Sequence, residues 1–86
     1  MPISNDGVMI NNRFFLVTDV LKDMGKMEGG LRAFCERHQI NRSMLSQTRA
    51  NADKTVLKPD IIKWLCEDYG ANIEFIMFGK GKMLVK

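Results

Sequence analysis

Arg42, Ser43, Ser46 and Gln47 carry side chains that donate and accept hydrogen bonds, and their i, i+1, i+4, i+5 spacing places all four on one face of a helix. The chemistry of such a face is recognition. A glutamine amide matches N6 and N7 of adenine, a guanidinium matches O6 and N7 of guanine, and a serine hydroxyl pairs with either kind of base edge. Gln47 is the best single candidate for reading a base. Arg42, near the start of the helix, suits either a guanine or a phosphate, and the shorter Ser43 and Ser46 are less selective. Bond-making chemistry has no comparable constellation. His38 is the only histidine, and no motif arranges a nucleophile and a carboxylate around it, so it is expected to pack and an enzyme is not expected. Cys35 and Cys66 both lie inside apolar helical patterns and read as small buried hydrophobes, with neither a metal site nor any other cofactor implied.

The elements that must hold this face are two short helices joined by a tight turn. Leu31, Phe34 and Cys35 form the inner surface of the first, Ile40 plugs the corner, and Met44, Leu45 and Thr48 form the inner surface of the second. Asn41 is placed to cap the second helix, which is expected over Arg42 to Ala50. The pair reads as a helix-turn-helix whose second helix enters the major groove of DNA.

Phe34 to Arg49 resembles the helix-turn-helix of the lambdoid phage repressor and Cro family, also called the xenobiotic-response-element family. The small residue of that pattern is Cys35, the corner apolar residue Ile40, the cap Asn41 and the second-helix anchor Leu45. Tyr69 to Met83, with Gly79-Lys80-Gly81-Lys82-Met83 at its end, is similar to the ending of many bacterial and phage members. At the turn position usually held by glycine stands Gln39, which implies a strained turn or one built differently. Where many relatives have a phosphate-binding glutamine stands Leu31, so Arg32 or the backbone N–H groups around Gly30 must supply that contact. The resemblance implies a compact five-helix, lambda-repressor-like all-α domain. It also implies that the protein is a sequence-specific transcriptional regulator of double-stranded DNA, of the phage or mobile-element repressor type, binding as a two-fold homodimer.

Charge placement agrees with a polyanionic partner. Between Gly29 and Pro59 six basic residues stand against two acidic ones, whereas the rest of the chain has seven against eight. Arg32, Arg49, Asn51, Lys54 and Lys58 are the candidate phosphate contacts, which position a protein on DNA without reading sequence. The other reading of the same fold is a protein-interaction module, such as an antirepressor or antitoxin-like partner, that does not bind DNA.

The remaining pattern frames these parts. Residues 1–10 are expected as a flexible polar tail, and residues 11–86 as one domain. A first helix is expected from about Asn12 to Met24, capped by Asn11 or Asn12, with Phe14, Val17, Leu21 and Met24 on its apolar stripe and Phe15 and Val20 widening it. Helices are further expected from about Gly30 to His38, from Pro59 to Tyr69 and, capped by Asn72, from Ile73 to Phe78. Phe75, Ile76, Phe78 and Met83 are the candidate dimer surface, which also suits a different protein partner. No apolar run approaches the length of a membrane span and the start lacks a secretory pattern, so a cytoplasmic location is expected, with no membrane contact and no small-molecule ligand.

Overall fold

The computed structural model describes residues 3–85 and contains five helices: α1 (Asn5–Asp23), α2 (Gly30–His38), α3 (Arg42–Ala50), α4 (Pro59–Tyr69) and α5 (Ile73–Phe78). No strand occurs among the described residues; a single antiparallel bridge joins Ala71 to Leu84. The molecule measures 36 × 29 × 21 Å along its principal axes. Its core draws on every helix: Phe14, Val17 and Leu21 from α1, Phe34 and Cys35 from α2, Leu45 from α3, Ile61, Ile62 and Leu65 from α4, and Ile76 from α5. Burying large apolar side chains of this kind stabilises by roughly 1.5–3 kcal/mol each, before the entropy of ordering the chain is subtracted.

Local chemistry sets the boundaries. Asn41 accepts a hydrogen bond from Met44 N–H at 3.2 Å and so caps α3, Asn72 does the same for Glu74 N–H at 3.1 Å at the start of α5, and Pro59 opens α4. These bounds are the ones that the sequence pattern predicts. The start of α1 is not. Ser4 caps this helix by accepting from Gly7 N–H at 3.1 Å, so residues 5–10, expected as a flexible tail, form its first turns. Asn11 is not a cap; it lies in the helix interior and is fully buried. Met24, expected on the inner stripe, is 53% exposed as the C-cap, and Thr18 is buried on α1 instead.

The long α1 is the spine of the fold, packing against α5 and α3. Gly7 permits a close approach, because a Cβ at this position would sit 2.7 Å from the Val56 side chain. After α5 the chain folds back: Asn72 N–H donates to Met83 O and Val85 N–H to Gly70 O, both at 2.8 Å, and the Asn72 amide donates to Lys82 O. No helix among the described residues is long and apolar enough to cross a membrane.

Candidate nucleic-acid interface

The geometry of α3 follows from its two buried residues. Leu45 and Thr48 point into the core, and the Thr48 hydroxyl donates back to Met44 O at 3.0 Å, which satisfies it without a partner outside the helix. Arg42, Ser43, Ser46 and Gln47 are all exposed, as their spacing predicts. They do not form one uniform face, however. At 3.6 residues per turn, Ser43 and Ala50 lie opposite the buried side, Ser46 and Gln47 stand on either side of that ridge, and Arg42 is about a quarter-turn away. The surroundings divide accordingly. Arg42 and Ser46 line a cleft with Arg32 and Arg49 on the α1 and α2 side, whereas Gln47 lines a groove with Asn51 and Lys54 on the opposite side.

Two of the candidate phosphate contacts are already engaged. The Arg49 Nη2 group donates to both carboxylate oxygens of Asp19 at 2.7 and 2.8 Å, tying α3 to α1, and its guanidinium lies 5.5 Å from the centre of the Phe15 ring. Arg32 donates through Nε to Glu36 at 3.2 Å, one turn along α2. Both pairs are exposed, so each contributes at most about 1 kcal/mol. Among the described residues Arg42 has no ion-pair partner. Burial pushes the Cys35 thiol up, and the charge of the nearby Arg42 opposes that shift.

The loop after α3 is held in place by a residue that the sequence pattern misassigns. The buried Asn11 amide donates to Ala52 O at 2.9 Å and to Thr55 O at 2.8 Å, while its carbonyl accepts from Leu57 N–H at 3.0 Å. Ile3 N–H adds a bond to Asp53 O at 2.9 Å. Lys54 therefore projects from a loop anchored at both ends, beside Asn51. Lys58 sits further on, as the exposed N-cap residue of α4. Nothing in sequence periodicity separates a capping asparagine from one that spans to a loop more than 40 residues away.

The far side of the helix pair is clamped to α4. His38 stacks on Trp64 with ring centres 4.5 Å apart and donates through Nε2 to Asp68 at 2.7 Å, and Arg37 Nη1 donates to the same carboxylate oxygen at 2.7 Å. Burial raises the Asp68 pKa, but the hydrogen bonds and charges of His38 and Arg37 outweigh it and hold the carboxyl below its usual range. His38 is thus a packing and bridging residue.

The apolar surface expected around α5 needs correction. Ile76 is 0% exposed and belongs to the core, because α5 turns this side chain toward α1 and α4. Phe75 and Met83 are partly buried against that core, and of the four expected residues only Phe78, at 68%, is well exposed. Ile73, Met77 and Val56 extend the exposed apolar surface instead. Comparison of the chain with protein-family models, with curated proteins and with solved structures finds no match.

Proposed function

We propose that the protein is a sequence-specific double-stranded DNA-binding regulator of the lambda-repressor-like, helix-turn-helix type, with α3 as its recognition helix. The observation that carries this reading is the outward surface of α3: it has no acidic residue, its hydrogen-bonding side chains are exposed, and it stands between two basic flanks. A helix about 10–12 Å across fits a major groove about 12 Å wide, which brings the Ser43, Ser46 and Gln47 ridge against the base edges. Asn51, Lys54 and Lys58 would meet the backbone phosphates. The phage or mobile-element repressor role and the two-fold dimer are part of the same proposal, the exposed Phe78 side of α5 being the surface for the second copy.

Selection from randomised duplex DNA at about 150 mM salt tests the proposal, since screening at that ionic strength suppresses purely electrostatic binding. The expected outcome is an enriched palindrome with half-sites about one helical turn apart. Affinity should fall with salt at a log–log slope of about −4 to −5 for four to six phosphate contacts. Gln47→Ala should relax base preference, while Lys54→Ala should weaken all sequences alike. A folded protein that enriches no sequence would overturn the reading.

A further inference from the structure

Three of the basic side chains beside α3 line one cleft. The cleft of about 190 Å³ between α1, α2 and α3 is lined by three arginines, Arg32, Arg42 and Arg49, and by Ser46, together with the apolar residues Phe15, Leu31, Cys35 and Leu45. We infer that this cleft is a phosphate-binding site in which Arg32, Arg42 and Arg49 take one phosphodiester group, and that Asp19 and Glu36 hold two of the arginines in a self-paired state until that anion arrives. The inference rests on the DNA-binding reading for the source of the phosphate, and of the two contacts the sequence allows Arg42, guanine or phosphate, it takes the phosphate.

Three observations support it. Arg42 and Arg49 lie on the same flank of α3, about a quarter-turn from its outermost ridge, where a helix that fills the major groove meets the groove wall. The two carboxylates occupy only part of the donors they face. Asp19 takes one nitrogen of Arg49 and Glu36 takes one nitrogen of Arg32, so each guanidinium keeps N–H groups directed elsewhere, and a fork of that kind binds phosphate oxygens with charge-assisted bonds. Both pairs are solvent-exposed, so giving them up costs little. Asp19 and Glu36 then act as internal competitors: they weaken binding to every duplex by the same factor, which leaves discrimination to the ridge residues.

The test pairs a DNA-independent readout with a DNA-dependent one. Inorganic pyrophosphate, titrated against the whole protein, should shift the side-chain Nε–Hε resonances of Arg32, Arg42 and Arg49 together and saturably. The Asp19→Asn/Glu36→Gln double variant should bind pyrophosphate and random duplex several-fold more tightly. Arg42→Ala should lose affinity by the same factor on selected and random duplex and flatten the salt slope by about 1, with Arg42→Lys recovering much of the loss. Unchanged affinity of the double variant, or an Arg42→Ala protein with altered base preference and intact affinity for random duplex, would overturn the inference while leaving the DNA-binding reading standing. If no duplex binds at all, that reading fails and the pyrophosphate titration decides alone: shifts confined to the three arginines support a site for a free phosphorylated ligand, and their absence ends the proposal.

Discussion

Gln39 holds a φ of 57°, the only positive φ among the described non-glycine residues, in the turn between α2 and α3. A side chain with a Cβ is disfavoured there by about 1 kcal/mol, and the left-handed turn rather than a different one is what the fold requires. Gln39→Gly should therefore raise unfolding free energy by about 0.5–1 kcal/mol in urea denaturation, and Gln39→Val should lower it. Asp68 makes a second residue-level prediction. Its pKa is lowered in the folded state, so its contribution to stability is present above the ordinary aspartate range and disappears as pH falls through the lower, folded value. Asp68→Asn should lower Tm near neutral pH and make the loss of Tm on acidification shallower than in the parent. A parallel loss in both proteins would show that His38 and Arg37 do not stabilise the carboxylate.

At the scale of elements, α2, α3, α4 and α5 were legible because residues with strong positional preferences bracket them: Gly30, Asn41, Pro59, Gly70, Asn72 and Gly79 stand at their ends. The candidate site was legible in part. Periodicity found the exposed side of α3, but it treats a helix as free-standing, so it could not show that α1 and α2 wall one flank and leave Arg42 in a cleft. Asp19 and Asn11 were missed for a related reason: their partners lie 30 and more residues away, and neither residue type announces a distant partner. The junction of α1 and α5 gives the prediction that belongs to this scale. Gly79 ends α5 with φ +69°, and a Cβ there would come within 2.8 Å of the Arg13 guanidinium, which reaches the last carbonyls of α5. Gly79→Ala should cost about 1 kcal/mol, nearly all of it from the left-handed backbone because the Arg13 guanidinium is the far end of a flexible side chain, and an Arg13→Ala background should leave that cost little changed. A double-mutant cycle with coupling above about 1 kcal/mol would show instead that the guanidinium is held and cannot move aside.

At the scale of the whole fold, a domain of this size buries a smaller fraction of its surface than a larger one does, and association adds buried area. The proposed dimer places Phe78 at its centre. Phe78→Glu should convert a dimer at micromolar concentration to a monomer by sedimentation and reduce affinity for a palindromic duplex far more than for a single half-site. A parent protein already monomeric at that concentration would remove α5 as the dimer surface. The buried Asn11 amide has an effect of another kind. Because it fixes the 51–58 loop in the free protein, the conformational entropy of that loop is lost during folding and would be absent from association with DNA in the proposed complex. Encounter should accordingly be fast and need no slow rearrangement. In a folded Asn11→Ser protein the same complex should form with a smaller association rate constant and a more negative binding entropy, measured by stopped flow and calorimetry, although no residue facing the partner has changed.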